Sequence, residues 1–392
     1  MATSDPWILP AGIEEILPGE AGRLESMRRA VLDHLALCGY ELVVPPLIEY
    51  LESLLTGTGR DLDLQTFKLI DQMSGRMMGV RADMTPQVAR IQARFIDDPG
   101  PVRLCYVGPT LFTLGDSFGS GREPLQLGAE LFGCSNTQGD LEVLELMVES
   151  LRLLGVVDLH IDLGHVGVFR ELAAQSDLTT EQESALFEAL QRKSQADITR
   201  VLDGESSTHK ELFLALAEMN GRAEVISEAM SRFADAGEGV RAALDNLLQV
   251  SELVSARFSA LPLHIDLSEL RGYHYHTGVV FSAFAPESGR ALANGGRYDG
   301  VGDAFGRARA ATGFSLDLRR LLRVVAESNG REATAIAAPW PADPNLQAAI
   351  SALRADGECV INILDESDGE EIRHRCDRRL VQRDDTWTAE PW

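Results

Sequence analysis

Cysteine is scarce in this sequence and never occurs in close pairs. The five cysteines are scattered through 392 residues, and none belongs to a C-x-x-C motif. Zinc sites and redox motifs usually show such paired spacing, and disulfide frameworks usually show an even number of cysteines. The pattern therefore argues against both, and it favours a reducing compartment, the cytoplasm.

Long apolar runs and a leader segment are also missing. No stretch is apolar over the roughly 20 residues that a membrane-spanning helix needs, although 45% of the residues are hydrophobic. The first residues, M-A-T-S-D-P-W, lack the basic region and the apolar core of a signal peptide. We therefore expect no membrane contact, and the length suggests two or three domains.

Positive charge is the third shortage. The 36 basic residues are outnumbered by 60 acidic ones, which gives a net charge of -24. Proteins that bind nucleic acid over a large surface neutralise its phosphates with clustered lysines and arginines. The charge therefore disfavours extensive nucleic-acid binding, although a halophilic or merely very soluble surface would show the same acidity.

Aromatic and cationic side chains are concentrated in one stretch. Residues 270–278 read L-R-G-Y-H-Y-H-T-G and lead into the apolar segment V-V-F. If the stretch is extended, its side chains alternate between two faces. One face would carry Arg271, Tyr273, Tyr275 and Thr277, and the other His274 and His276. Such faces suit a pocket for a small ligand that is part planar and part anionic. An edge strand whose rings only pack would have the same composition.

The segment R-A-D-M-T-P-Q, residues 81–87, offers two oxygen-bearing side chains. Asp83 and Thr85 lie two positions apart, so on an extended chain their oxygens face the same side and could hold an ammonium group. Either residue could instead cap the helix that Pro86 begins.

Glycines mark two more segments. In Q-L-G-A-E, Gln126 and Glu130 share one strand face, and Gly128 leaves room between them. In A-N-G-G-R-Y-D-G, residues 293–300, the glycines predict a tight turn. Residues 293–300 alone are a modest signal.

Taken together, these segments resemble histidyl-tRNA synthetases, which are class II aminoacyl-tRNA synthetases. Residues 81–87 resemble their R-P-E-G-T segment, and Q-L-G-A-E resembles the block of their second motif that contacts the amino acid. Residues 270–278, followed by 293–300 and G-F-S-L-D-L-R-R, resemble their histidine signature and third motif. The predicted helix Glu20–Leu37 and the strand after it resemble the first motif, which forms the dimer interface.

The resemblance implies a site for histidine. Its residues would be Asp83, Thr85, Gln126, Glu130, Arg271 and Tyr275. The first three would hold the ammonium group, Glu130 would accept from the imidazole N–H, and Arg271 would lie near the carboxylate.

The second motif departs from the synthetase pattern. After its Gly-Pro a synthetase has F-R-x-E, whereas residues 111–114 of this chain are L-F-T-L. Phe112 therefore replaces the Arg that grips the α-phosphate, and Leu114 replaces the Glu. Removing a group that stabilises developing charge costs orders of magnitude in rate. We expect a recognition pocket with no catalytic residue, no cofactor and no metal.

A histidyl-tRNA synthetase core without this Arg resembles the family of ATP phosphoribosyltransferase regulatory subunits. The resemblance implies a non-catalytic protein that self-associates as a dimer and partners the short catalytic subunit. It implies feedback by histidine on the first step of histidine biosynthesis, and no contact with tRNA. A site that once bound histidine as a substrate needs only to keep binding it to act as a sensor.

The resemblance also implies the fold. We expect an α+β, class II synthetase-like core over residues 1–325, in which helices flank an antiparallel sheet. A helical insertion would interrupt the core at about 167–258. Residues 326–392 would form a small C-terminal α/β remnant, too short and too acidic for an anticodon-binding domain.

Three alternatives remain open. The chain could be a scaffold that binds no histidine, because the synthetase signature ends in Tyr-Tyr and here it ends in Tyr275-His276. It could be a working histidyl-tRNA synthetase, against which Phe112 argues. It could be a metal enzyme that uses His274 and His276, for which no third ligand is evident in the sequence.

The second motif generates a direct prediction. Because Phe112 and Leu114 stand where a cation and a carboxylate are required, the isolated chain will form no histidyl-adenylate. The measurement is the exchange of pyrophosphate into ATP with and without histidine. Exchange that depends on histidine would contradict the prediction.

Overall fold

The computed structural model describes residues 7–56, 60–115, 121–273, 275–286, 288–325, 335–340, 343–364, 375–384 and 386–391. The chain divides into two compact units, Met1–Val325 and Ala326–Trp392. Within those residues, no helix combines the length and the apolar character that crossing a membrane requires.

Two sheets form the frame of the first unit. Their strands are Glu41–Leu42 (β1), Ile48–Tyr50 (β2), Phe67–Ile70 (β3), Met77–Val80 (β4), Val102–Pro109 (β5), Leu125–Phe132 (β6), His160–His165 (β7), Asn220–Gly221 (β8), Leu263–Asp266 (β9), Val279–Phe284 (β10), Ala293–Arg297 (β11) and Ala311–Asp317 (β12). The large sheet has the order β1-β5-β6-β12-β11-β10-β7-β9-β8, and the small one has the order β2-β4-β3. The predicted α+β class is confirmed. The large sheet is mixed rather than purely antiparallel, because β1 pairs with β5 and β7 with β9 in parallel.

Helices pack against the two sheets and against one another. They are Glu20–Leu37 (α1), Leu51–Leu54 (α2), Arg60–Gln65 (α3), Thr85–Phe95 (α4), Thr137–Leu153 (α5), Val166–Ala174 (α6), Thr180–Gln191 (α7), Gln195–Val201 (α8), Ser207–Glu218 (α9), Glu224–Arg232 (α10), Glu238–Arg257 (α11) and Leu318–Val324 (α12). The predicted bounds of α1 agree with the structure. Gly39 follows α1 with φ of 83°, a conformation that favours glycine and ends the helix.

Strand β6 shows how the sheet separates a core face from a site face. Successive side chains of a strand point to opposite faces. Leu127, Ala129 and Leu131 are fully buried in the main hydrophobic core, where α1 and α5 pack. The even-numbered residues face the other way, towards α4, where Phe132 packs with Met84. This second face carries the candidate site.

The helical insertion consists of α6–α11, between β7 and β9. It is attached to the sheet at its start, where α6 follows β7 directly, and within its length, where its short strand β8 pairs with β9. Inside it, buried aromatic rings such as Phe169 and Phe213 pack edge to face with centroids 5.9 Å apart. Helix α7 begins with a capping box, in which Thr179 and Gln182 each bond the other's backbone N–H.

The prediction that residues 270–278 form an extended stretch is wrong. The N–H of Tyr273 donates to the Leu270 carbonyl at 2.9 Å, and the N–H groups of Tyr275 and His276 donate to the Gly272 carbonyl at 2.7 and 2.8 Å. Gly272 has φ of 69°, and a Cβ there would lie 2.7 Å from the His276 ring. The stretch is therefore a folded turn, which this glycine permits, and its side chains do not alternate between two faces.

The prediction of a glycine-rich turn at residues 293–300 is also wrong over its first half. Residues 293–297 form β11, in the middle of the large sheet. A Cβ on Gly295 would lie 2.4 Å from the Phe281 ring, and one on Gly296 would lie 3.0 Å from the His276 ring. These glycines provide room for neighbouring rings rather than a turn.

The second unit is a small α/β structure. Its elements are Ala335–Ala338 (β13), Pro344–Ala355 (α13), Cys359–Asn362 (β14), Cys376–Arg383 (β15) and Thr386–Pro391 (β16). The strand order is β14-β13-β15-β16, and β15 and β16 form an antiparallel hairpin. Leu346 and Ile350 of α13 are buried against Ile336 of β13.

Candidate functional site

A cleft of about 400 Å³ opens on the site face of the large sheet. Strands β6, β11 and β12 provide its floor, and the loops around Asp83 and Phe112 provide its walls. Gln126, Asn294 and Asp317 line it from the strands. Of the predicted site residues, Asp83 and Gln126 line the cleft, whereas Thr85, Glu130, Arg271 and Tyr275 are not among its lining residues.

Asp83 and Gln126 hold each other at the wall of the cleft. The Gln126 Nε2 donates to Asp83 Oδ1 at 2.7 Å, and the Met84 N–H donates to Gln126 Oε1 at 3.0 Å. Thr85 does not stand beside Asp83 as an equivalent oxygen, because it begins α4 and is buried. Its N–H donates to Asp83 Oδ1 at 3.2 Å, and its hydroxyl lies 2.9 Å from the Tyr106 hydroxyl. Of the three predicted ammonium ligands, Asp83 and Gln126 therefore lie together, whereas the Thr85 hydroxyl points to a different part of the site.

Glu130 is a carboxyl group buried within the large sheet, on β6 between β5 and β12, with 1% of its surface exposed. The Tyr106 hydroxyl donates to Oε1 at 2.9 Å, and the Tyr298 hydroxyl donates to Oε2. Burial raises the pKa of Glu130 to about 8, even though both tyrosines lower it. Among the described residues, no Lys, Arg or His forms an ion pair with this carboxyl group. Glu130 is thus an acceptor that lacks a cationic partner.

Two glycines make room for this buried group. Gly128 pairs across the strands with Tyr106, and Gly313 pairs with Glu130. A Cβ on Gly128 would lie 2.4 Å from the Tyr106 hydroxyl, and a Cβ on Gly313 would lie 1.5 Å from the Glu130 carboxyl. The first of these roles agrees with the prediction that Gly128 leaves room, although a tyrosine fills part of that room.

Tyr275 and Tyr298 close the site above Glu130. Their rings stack with centroids 4.8 Å apart and an angle of 25° between planes. The Tyr275 hydroxyl is buried without a well-formed hydrogen bond to any described residue. Burial raises the pKa of Tyr106, Tyr275 and Tyr298 well above the ordinary value for tyrosine, so all three remain protonated donors.

Arg271 lies at the rim of the site rather than inside it. Its guanidinium pairs with Glu269 at 3.0 Å and is 52% exposed. The Arg271 Nη1 also lies 3.4 Å from Oδ1 of Asn294, which lines the cleft. The predicted Arg is therefore next to the cleft but already has an acidic partner.

His276 occupies a separate niche. Its Nδ1 lies 3.3 Å from the Arg297 carbonyl, and burial lowers its pKa to about 4, so the ring is neutral. His274, the other ring in the metal-enzyme alternative, lies outside the described residues. Across the residues with described positions, no group of three His, Cys, Asp or Glu side chains could hold a metal ion.

Sequence reasoning missed Tyr106 and Tyr298, whose hydroxyls donate directly to Glu130. Tyr298 is positioned by its neighbours: Arg297 pairs with the buried Asp140 at 2.9 Å, and Asp299 accepts from the Ala311 N–H at 2.9 Å. The sequence signal for Tyr298 was N-G-G-R-Y-D, in which Tyr298 directly follows β11, the strand that contains the two glycines. No comparable signal marked Tyr106.

The outer part of the cleft carries arginines that are already bonded. Arg319 pairs with Glu123 at 3.2 Å, and Arg323 pairs with Glu14 at 2.6 Å. Arg320 donates to the Ala291 carbonyl at 2.8 Å. Phe112 lines the wall at the position where the resemblance places the phosphate-gripping Arg, whereas Leu114 is 77% exposed.

Two family models match this chain, one in each of its two units. The family model "Histidyl-tRNA synthetase" matches residues 12–321, and the model "ATP phosphoribosyltransferase subunit HisZ C-terminal domain" matches residues 333–390. The second match gives the C-terminal unit a family of its own.

Curated relatives match over nearly the whole chain. A protein of Thioalkalivibrio sulfidiphilus is 50% identical over 97% of each chain, and one of Stutzerimonas stutzeri is 48% identical over 100% of this chain and 99% of its own. Both are named ATP phosphoribosyltransferase regulatory subunit. A solved structure from Bacillus halodurans, titled as an ATP phosphoribosyltransferase regulatory subunit/histidyl-tRNA synthetase, matches with a TM-score of 0.80. It is 27% identical and covers 94% of this chain and 96% of its own.

The buried carboxyl group predicts a pH dependence of stability. A carboxyl whose pKa is raised on folding adds stability that is complete below about pH 4.5 and lost once the pH has passed about 8. Relative to Glu130→Gln, which carries no titrating proton, the wild type should therefore lose a few kcal/mol of unfolding free energy between pH 5 and pH 8.5. Denaturant unfolding of both proteins at the two pH values measures this. A difference between the two proteins that is the same at both pH values would contradict it.

Proposed function

Since this chain belongs to the family of ATP phosphoribosyltransferase regulatory subunits, we propose that it assembles with the short catalytic subunit of that enzyme and serves as its histidine sensor. In this role it regulates the first step of histidine biosynthesis and performs no chemistry itself. The proposed sensor pocket comprises Asp83, Thr85, Gln126, Glu130, Arg271 and Tyr275, to which we add Tyr106 and Tyr298 because their hydroxyls donate to Glu130. Of these residues, Asp83 and Gln126 line the cleft.

The observation that carries this proposal is the uncompensated carboxyl group of Glu130. A buried carboxylate is costly unless a donor or a cation satisfies it. The neutral hydroxyls of Tyr106, Tyr298 and Thr85 hold it, and no cation is among the groups that shift its pKa. An imidazole supplies an N–H donor, can carry a positive charge near neutral pH, and is planar enough to lie against Tyr275. Ring recognition at Glu130 therefore supports histidine as the ligand.

The amino-acid end of histidine fits the polar wall of the cleft. Asp83 and Gln126 present a carboxylate and an amide there, which suits an ammonium group. Arg271, beside Asn294 at the rim, can pair with the ligand carboxylate. Three charge-assisted contacts at about 1.5 to 3 kcal/mol each would offset ordering costs and reach about micromolar affinity.

The side chains of the outer cleft support the proposal that synthetase chemistry has been lost. Phe112 gives the cleft wall no charge, and the neighbouring arginines already pair with acids or a carbonyl group. A developing phosphorane would therefore meet little free positive charge. Self-association through the first motif is consistent with the exposed apolar side chains Leu37, Leu42 and Val44 beside the edge strand β1.

The scaffold alternative rested on His276, which replaces a Tyr of the synthetase signature. The His276 ring fills its own niche against Gly272 and Gly296, while Tyr275 and Tyr298 provide aromatic groups next to Glu130. The exchange therefore leaves a ring-binding pocket, which favours the sensor.

Calorimetric titration of histidine into the isolated chain tests the pocket. Glu130→Ala removes the imidazole acceptor and should weaken binding by about tenfold or more, because a hydrogen bond to a charged group contributes roughly 1.5 to 3 kcal/mol. Glu188→Ala, on the exposed side of α7, is the matched control and should bind as wild type does. If Glu130→Ala and Gln126→Ala both bind as wild type does, the site lies elsewhere.

The rate of the mixed complex tests regulation. A short catalytic subunit combined with this chain should become sensitive to histidine, and a coupling of about 1 to 3 kcal/mol predicts a several- to hundredfold change in apparent affinity or rate. The complex with Glu130→Ala should need correspondingly more histidine. Inhibition that is equal with both chains, or that occurs in the catalytic subunit alone, would show that this chain is not the sensor.

A further inference from the structure

The turn at residues 271–278, which we call the signature loop, is held from outside the pocket by the helical insertion. Arg170 of α6 donates through one nitrogen, Nη2, to the Tyr273 carbonyl at 2.9 Å and to the His276 carbonyl at 2.8 Å. Its guanidinium also lies over the Tyr273 ring, 5.2 Å from the centroid. One side chain of the insertion thus bonds both halves of the loop.

Tyr273 extends this attachment into the insertion itself. Its ring packs edge to face on Phe169 of α6 at 5.0 Å and against Phe187 of α7 at 5.7 Å. Its hydroxyl donates to the carboxylate of Glu183, in the first turn of α7. Because a capping box at Thr179 fixes the start of that helix, the position of Glu183 is well defined.

The opposite side of the same loop forms part of the pocket. Tyr275, two residues after Tyr273, stacks on Tyr298, which donates to Glu130. The Thr277 hydroxyl accepts from the Asp299 N–H at 3.0 Å and ties the loop to the segment that carries Tyr298. A continuous set of contacts therefore runs from α7 through the signature loop to the buried carboxyl group.

We propose that Arg170 and Glu183 are positioning residues for the histidine pocket, and that the helical insertion responds to its occupancy through Tyr273. This inference rests on the proposed histidine site. The loop lies outside the strands and helices, so its conformation depends on bonds made from outside, and such segments open most easily. A ligand that orders Tyr275 orders Tyr273 as well, and by linkage the helices that hold Tyr273 must affect ligand affinity.

Histidine titration of the full chain tests the positioning role. Tyr273→Phe removes only the hydroxyl, and Glu183→Gln removes only the charge of its acceptor. Each should weaken histidine binding about three- to tenfold, and the double variant should be no weaker than the worse single one, because both changes act on the same hydrogen bond. Arg170→Lys should retain more affinity than Arg170→Ala. Glu188→Gln, an exposed position on the same helix, is the control and should leave affinity unchanged.

Hydrogen exchange tests the response of the insertion. In the wild type, saturating histidine should slow amide exchange at least twofold in the first turns of α7. In Tyr273→Phe that slowing should be absent even at saturation, which a purely structural role of the tyrosine would not produce. If the wild type binds no histidine, the proposed site fails and this inference fails with it. If the wild type binds but the variants bind equally tightly, or if α7 exchanges equally with and without ligand, the pocket stands and this inference is overturned.

Discussion

The burial of one carboxyl group without a cation is the constraint on which the site depends. Glu130 lies inside a nine-stranded sheet. Because Gly128 and Gly313 have no side chains, they leave room for Tyr106 and for Glu130. Two tyrosine hydroxyls stabilise the group, yet burial keeps its pKa near 8. Such an arrangement weakens the free protein at neutral pH. In the proposed complex, histidine would bring the missing donor or charge, so the unfavourable free state would contribute to ligand recognition.

The same structure explains how a synthetase-like core can serve as a sensor. In the proposed site, recognition of the ring would use β6, β12 and the segment after β11, whereas phosphate chemistry would need the outer cleft. In the outer cleft, Phe112 and arginines already engaged with Glu123 and Glu14 leave little positive charge available. The two functions are physically separate, so one can disappear while the other persists.

Sequence reasoning predicted the bounds of single elements more successfully than it predicted which residues lie next to each other in the folded chain. The period of α1 gave its bounds, and the alternation in β6 correctly placed Gln126 and Glu130 on one face. Two sequence patterns led to wrong predictions. Residues 270–278 alternate in composition but fold as a turn around Gly272, and the glycines of β11 make room for rings instead of turning the chain. Tyr106 and Tyr298 were missed because local periodicity does not reveal the cross-strand register that brings them to Glu130.

The most direct test is the titration of the bound ligand's own ring. Histidine labelled with ¹⁵N in the imidazole can be followed by NMR in the full chain as the pH changes. If Glu130 receives the ring, the bound imidazole should remain protonated at least about one pH unit above its free value, which lies near 6.5, because the carboxylate favours the charged form. Glu130→Gln should abolish that shift at saturating histidine. A ring that titrates in the wild-type complex as it does in free histidine would contradict the account.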